Sequence, residues 1–205
     1  MRILGIDEAG RGPVIGPLIV AGVLIEGEDE PLLKQLGVRD SKALSRRRRS
    51  ELTPRISEIA RVRTVIIPAE RLEEKEDLND TELRAMARLI AELKPDKIYL
   101  DVPAHPRGVE RFRRRLKELV GPGPELFGEN RAEQRWPVVA AASIVAKVKR
   151  DEEVSKLHKK YGDFGWGYPS ERKVREFLER WYREHGDLPP CVRRRWKTVE
   201  KLLGH

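Results

Sequence analysis

Two adjacent acids stand at the end of the first apolar run of the chain. In GIDEAGRGPVIGPLIVAG, residues 5–22, Asp7 and Glu8 follow an apolar segment and precede a Gly-Arg-Gly turn at Gly10 to Gly12. Successive side chains of a regular strand point to opposite faces, so both acids can serve one site only where the strand ends or bends. Glycines supply such a bend and let the backbone approach a ligand closely. The stretch therefore predicts a site in which negative oxygens lie beside a close-fitting loop.

A third acid, Asp101, ends a second apolar run, KIYLD, which is followed by Pro103. Open α/β sheets usually bind their ligands at the carboxyl ends of strands. If the two runs are neighbouring strands, Asp7 and Asp101 lie side by side, and their charges repel unless a cation is present. Oxygen ligands without a Cys or His set favour Mg²⁺ first and Mn²⁺ second. The alternative for each acid alone is a turn or capping role.

The elements that would position these acids alternate between strands and helices. Apolar runs predict strands at 2–6, 17–25, 61–67, 97–101 and, more weakly, 125–130. Helical periodicity and capping residues predict helices after Ser45 and at 79–93, 110–120, 137–161 and 171–185. This alternation predicts an α/β fold with a mixed sheet flanked by helices, in which the first two strands are antiparallel.

The composition favours a polyanionic partner. The 205 residues carry a formal net charge of +8, and the tail from Glu171 holds ten Lys/Arg against six Asp/Glu. A single cysteine, Cys191, excludes an internal disulfide and a thiolate zinc site. Neither a leader-like segment nor a membrane-length apolar stretch is visible, so we expect a cytoplasmic protein with no membrane partner. The scarcity of Asn, Gln, Cys and Met beside abundant Glu, Lys and Arg suggests a thermophilic source.

Five motifs stand in order along the chain: GIDEAGRGPVIGPLIVAG, DSKALS, LDVP, PVVAAASIVAKVKRD and DFGWGYPS. Together they resemble the ribonuclease HII family, the type 2 ribonucleases H, and most closely its archaeal branch. PPCVRRRWKT adds a weaker match near the end. The resemblance implies a ribonuclease H-like catalytic domain at residues 1–168 and a C-terminal helical, basic appendage at 169–205. It also implies cleavage of RNA paired to DNA and of ribonucleotides embedded in duplex DNA, leaving 5′-phosphate and 3′-hydroxyl ends.

The family places four acids around its metal ions. By motif, Asp7, Glu8 and Asp101 match three of them. The fourth family acid is an Asp four residues before the proline of the PVVAAAS helix, and here that position is Glu133. Its side chain is one methylene longer, which matters because Mg²⁺ demands distances of about 2.0–2.1 Å. The expected cofactor is Mg²⁺ or Mn²⁺, with two ions during catalysis.

The resemblance also implies substrate-binding residues. An enzyme that distinguishes ribose from deoxyribose must contact the 2′-hydroxyl. Gly10 and Gly12 would let backbone groups reach that hydroxyl while Arg11 contacts the adjoining phosphate, and Tyr168 would pack on the ribonucleotide. The remaining matches, Lys42 and Lys147 with Ser41 and Ser143 as companions, resemble phosphate-contacting residues. In the tail, Arg193, Arg194, Arg195 and Lys197 around Trp196 would grip the duplex backbone, although Trp196 alone also fits a core position.

Two other functions compete with this interpretation. One is a non-catalytic binder of nucleic acid, in which the acids are structural. The other is a different metal-dependent nuclease or strand-transfer enzyme of the same fold, since fold alone does not fix function. We expect a monomer. The C-terminal KTVEKLLGH has no adjacent aromatic pair to anchor it to a sliding clamp, so that partner is not predicted.

Overall fold

The computed structural model describes residues 1–38, 44–73 and 77–202. It contains a five-stranded mixed sheet. Its strands are β1 (Arg2–Ala9), β2 (Leu18–Glu26), β3 (Arg61–Ile67), β4 (Lys97–Asp101) and β5 (Glu125–Glu129). Their order across the sheet is β3-β2-β1-β4-β5. Strand β1 pairs antiparallel with β2 and parallel with β4, which in turn pairs parallel with β5. The predicted mixed sheet and the antiparallel first pair are thus confirmed.

Seven helices lie within the described residues. They are α1 (Glu30–Gln35), α2 (Arg46–Ile59), α3 (Leu78–Leu93), α4 (Val109–Val120), α5 (Pro137–Tyr161), α6 (Arg172–His185) and α7 (Lys197–Leu202), and short 3-10 turns occupy Gly27–Asp29, Ala69–Glu73, Pro106–Gly108 and Ala132–Gln134. The Ser45 hydroxyl accepts a hydrogen bond from the Arg48 amide, as its predicted capping role requires. Helix α1 was not predicted, because six residues are too few to display a helical period.

Two compact units make up the chain. The first contains the described parts of Met1–Ala9, Ile19–Val65 and Asp77–Val148. The second contains Gly10–Leu18 and the described parts of Ile66–Glu76 and Lys149–His205. This grouping assigns the Gly-Arg-Gly turn to the same unit as the C-terminal segment. The division between 1–168 and 169–205 that the sequence suggests stays a prediction.

In the first unit the start of helix α5 packs directly on strand β1. Every residue from Val138 to Ala146 is buried. Gly5 permits this contact: a Cβ there would lie 2.2 Å from the Val138 carbonyl oxygen. Because Gly5 has no side chain, helix α5 can pack closely against β1, the strand that carries Asp7.

The second unit has its own apolar core. Its buried members come from the loop after β1, the second half of α5, the loop between α5 and α6, α6 itself and the C-terminal segment: Val14, Ile15, Val154, Phe164, Val174, Phe177, Leu178, Leu188, Cys191, Val192 and Val199. Trp196 is partly buried against this cluster, which agrees with a core position for that ring. No helix within the described ranges is both long and apolar enough to cross a membrane.

Candidate active site

Asp7 is a buried carboxylate near the end of β1. It is 4% exposed, and its Oδ1 accepts a hydrogen bond from the Glu8 amide at 2.7 Å. The bend expected at the acid pair begins later than the sequence suggested: Glu8 and Ala9 still pair regularly with β2, and the first positive φ is +105° at Gly10. Strand alternation therefore sends Asp7 and Glu8 toward opposite faces, and Glu8 is only half-buried.

Asp101 ends the strand next to Asp7. The register pairs Gly5 with Tyr99 and Ile6 with Leu100, so the next position along the two parallel strands brings Asp7 beside Asp101. This confirms the predicted neighbourhood. Burial, and after it the charge of Asp101, raises the pKa of Asp7 to about 7, although three polar contacts oppose the rise.

Those three contacts are the Glu8 amide and two side chains of α5. The Ser143 hydroxyl bonds to Asp7 and accepts a hydrogen bond from Lys147 Nζ at 2.8 Å. Lys147 also lowers the pKa of Asp7 through its charge. Their spacing of four residues puts Ser143 and Lys147 on one helical face. The sequence expected phosphate contacts from this pair, and the structure shows that both act on the Asp7 carboxylate.

Glu133 lies in the 3-10 turn Ala132–Gln134 and is 4% exposed. The amide of the preceding residue, Ala132, donates to Asp101 Oδ1 at 3.0 Å, so the turn that carries Glu133 is fastened to Asp101. Asn130 adds a second fastening, because its amide nitrogen donates to the carbonyls of Val102 and Ala104 at 2.7 and 2.9 Å. Sequence reasoning missed Asn130, since a lone Asn before a turn gives no signal of where its side chain binds.

The chemistry of this group suits a hard divalent cation. All four candidate ligands offer carboxylate oxygen, and a cation would relieve the unfavourable ionisation of buried Asp7. The described residues nevertheless contain no three acids already grouped as the ligands of one ion.

The Gly-Arg-Gly turn belongs to the second unit and lies against Tyr168 there. A Cβ on Gly12 would be 3.9 Å from Tyr168 Cε1, and Tyr168 is 43% exposed. We call the space between these two residues the Gly12–Tyr168 gap. Gly10 is confined by its surroundings, because a Cβ there would lie 2.7 Å from the Pro17 carbonyl oxygen. Two other candidates, Ser41 and Lys42, fall outside the described residues.

The basic tail differs from the expectation in one residue. Arg193 is fully buried and bonds to backbone carbonyls, so the prediction that it grips the duplex backbone is wrong. A run of basic residues gives no hint that one of them points inward. Arg194 is half-buried and pairs with Asp187 at 3.0 Å, whereas Arg195 and Lys197 are exposed.

Comparison with known proteins gives consistent similarities. The family model described as Ribonuclease HII matches residues 4–199. Ribonuclease HII of Thermococcus kodakarensis is 44% identical over 206 residues, which cover 98% of this chain and 90% of the relative. The solved ribonuclease H2 from Pyrococcus horikoshii OT3 superposes with a TM-score of 0.91 at 37% identity, covering 98% of this chain and 97% of that one. Ribonuclease HII from Archaeoglobus fulgidus, solved in a complex with PCNA, gives 0.88 at 44% identity, with 96% of each chain covered.

Proposed function

The chain belongs to the ribonuclease HII family, and from that premise we propose how it works as an endoribonuclease on RNA–DNA hybrids and on ribonucleotides embedded in duplex DNA. The observation that carries the proposal is the pairing of buried Asp7 with Asp101 at the carboxyl ends of adjacent parallel strands. A non-catalytic binder of nucleic acid would have no use for a buried carboxyl whose pKa is raised to about 7.

Asp7, Asp101 and Glu133 would hold the divalent cations, Mg²⁺ or Mn²⁺. Glu8 starts on the opposite face of β1 and would join them if the end of the strand turns when the cations bind. Such cations, when bound, activate a water, neutralise the phosphate oxygens and stabilise the departing 3′ oxygen. The protein's own contribution is to orient the ligands. The Ser143 hydroxyl and the charge of Lys147 orient the Asp7 carboxylate. The Ala132 amide orients the Asp101 carboxylate through a hydrogen bond. Hydrolysis would leave 5′-phosphate and 3′-hydroxyl ends.

Selectivity for ribose would come from the Gly12–Tyr168 gap. Backbone groups of the Gly-Arg-Gly turn, and above all those of the exposed Gly12, would meet a sugar hydroxyl because the glycines carry no side chain that intervenes. The exposed ring of Tyr168 would pack on the same nucleotide and sense its sugar. Arg11 and Lys42 would contact neighbouring phosphates. We propose that the protein does this as a monomer in the cytoplasm.

Three duplexes of one sequence test the proposed function: plain DNA, an RNA–DNA hybrid, and DNA with a single ribonucleotide. Each is offered with Mg²⁺, with Mn²⁺ and with EDTA. We expect cleavage of the hybrid and of the ribonucleotide-containing duplex, and only with a divalent ion. Cleavage of plain DNA would indicate a general nuclease, cleavage of none would indicate a binder, and activity in EDTA would remove the metal from the mechanism.

A further inference from the structure

Two buried arginines support the substrate-recognition loops of the second unit. Arg193 is 0% exposed and Arg150 is 4% exposed. A guanidinium keeps its charge and carries five donors, so its burial is tolerated only where good acceptors surround it. The acceptors here include backbone carbonyls of the loop Gly10–Leu18 and of the segment that leads to Tyr168.

Arg193 ties together two distant points of the first loop. Its Nε and Nη2 donate to the Gly16 carbonyl at 2.9 and 2.8 Å, and its Nη1 donates to the Arg11 carbonyl at 3.3 Å. The indole of Trp196 lies beside the guanidinium, with its ring centroid 5.0 Å from Cζ. One side chain of the C-terminal segment thus bonds to the middle residue of the Gly-Arg-Gly turn and to the end of the same loop.

Backbone pairing reinforces this contact. The Gly16 amide donates to the Cys191 carbonyl and the Arg193 amide donates to the Val14 carbonyl, both at 2.8 Å. Between them, Ile15 and Val192 form an isolated antiparallel bridge. The C-terminal segment therefore runs alongside the loop as a short partner strand.

The same loop also bonds to the segment that carries Tyr168. The Val14 amide donates to the Gly167 carbonyl at 2.7 Å, and a Cβ on Gly167 would lie 2.5 Å from the Ile15 carbonyl oxygen. Arg150 donates to the Trp166 carbonyl at 2.8 Å, and its Cζ lies 5.4 Å from the Tyr168 ring centroid. The loop is thus held between the C-terminal segment and the Tyr168 segment.

We propose that Arg193 is a positioning residue that sets the Gly12–Tyr168 gap and, through it, how strictly the enzyme distinguishes ribose from deoxyribose. The proposal rests on the function proposed above. Arg193 holds the backbone on either side of Gly12, and a displacement of about 1 Å at a reacting group costs on the order of 100-fold in rate. The sequence alone assigns this arginine to the duplex backbone, so the role follows only from its burial and its acceptors.

The test compares Arg193→Met with Lys156→Met. Lys156 is an exposed residue of the same unit, and its ammonium pairs with Glu153 at 2.8 Å, so its loss controls for the removal of one positive charge. The substrates are DNA duplexes with one ribonucleotide or with one 2′-fluoro nucleotide at the same position. Values of kcat and KM are measured for each at a temperature where circular dichroism shows both variants folded.

For Arg193→Met we expect kcat/KM on the ribonucleotide duplex to fall about 100-fold. The ratio of kcat/KM on the ribonucleotide duplex to kcat/KM on the 2′-fluoro duplex should fall at least about tenfold. Lys156→Met should stay within about twofold of wild type on both. An equal fall on both substrates would indicate a merely structural role, and wild-type kinetics in Arg193→Met would also overturn the proposal.

Should Arg193→Met fail to fold, Arg193→Lys decides. An ammonium keeps the charge but cannot reproduce the planar fork that serves Gly16 and Arg11 together, so the ratio should still narrow, and an unchanged ratio overturns the proposal. Failure of the proposed function itself looks different, because wild type would then cut neither duplex or would cut plain DNA.

Discussion

Asp7 combines burial with proximity to a second acid, and this combination has a cost for stability. An unfolded chain releases the Asp proton near pH 3.8, whereas the pKa of Asp7 in the folded chain is about 7. Between these values the folded state binds more protons than the unfolded state, so stability falls as pH rises through this window. The full effect is on the order of 4 kcal/mol, and a bound cation would reverse it.

Asp7→Asn should therefore abolish cleavage while making the metal-free protein more stable than wild type at pH 8. The neutral amide has no proton to lose, so the advantage should shrink toward pH 4.5. Denaturant unfolding in EDTA measures the free energy of unfolding of both proteins at the two pH values. Added Mg²⁺ should stabilise wild type and not the variant. A wild-type-to-variant difference that is the same at both pH values would contradict this account of Asp7.

Sequence patterns could reveal some site residues and not others. Asp7 and Asp101 were predictable because an acid that ends an apolar run is conspicuous, and Glu133 followed from a family motif. Arg193 and Asn130 were not predictable, because their partners are backbone carbonyls. Every residue has such a carbonyl, so nothing in the local sequence marks the acceptor.

At the scale of elements, the position of helix α5 on strand β1 decides where Ser143 and Lys147 meet Asp7. Gly5 is the residue that allows this approach, since a Cβ there would meet backbone atoms of Val138 and Val139 at 2.2–2.7 Å. Backbone cannot move aside as the tip of a side chain can, so even one methyl group must displace the helix.

We expect Gly5→Ala to lower the free energy of unfolding by about 2 kcal/mol or more and to reduce cleavage more than 10-fold, with the divalent-ion dependence shifted to higher concentration. Chemical denaturation and a metal titration of activity measure the two effects. Gly108→Ala is the matched control, because a Cβ there would have its nearest neighbour at an ordinary 3.5 Å. Equal behaviour of the two variants would mean that α5 does not depend on this contact.

The strands were predictable almost to their ends, because their apolar runs are bounded by Gly and Pro. The C-terminal end of β1 was harder to predict than the ends of the other strands. The sequence placed a bend at the acid pair, yet pairing with β2 continues to Ala9. Hydrogen bonds to the long strand β2 outweigh the local preference of a glycine-rich segment for a turn. The sequence of β1 alone does not reveal how long its partner strand is, so it could not predict where the pairing ends.

On the scale of the whole molecule, the net charge of +8 predicts salt-sensitive binding to duplexes. On an Asp7→Asn background, Arg195→Gln should reduce the slope of log Kd against log salt by about 0.9, since Arg195 is exposed in the tail. Arg47→Gln is the control: its side chain is 90% exposed but pairs with Glu51 at 3.0 Å. Fluorescence anisotropy measures the Kd of each variant at salt concentrations between roughly 50 and 300 mM. Equal slopes for the Arg195→Gln variant and the Arg47→Gln control would mean that Arg195 of the tail does not contact the duplex.

The pairing of residues 14–16 with residues 191–193 has a consequence for biosynthesis. Gly16 leaves the ribosome 177 residues before Arg193. Until Arg193 emerges, the loop lacks the side chain that bonds to both of its ends. A nascent chain that has not reached Arg193 therefore carries its acids without the contact on which the proposed sugar discrimination rests.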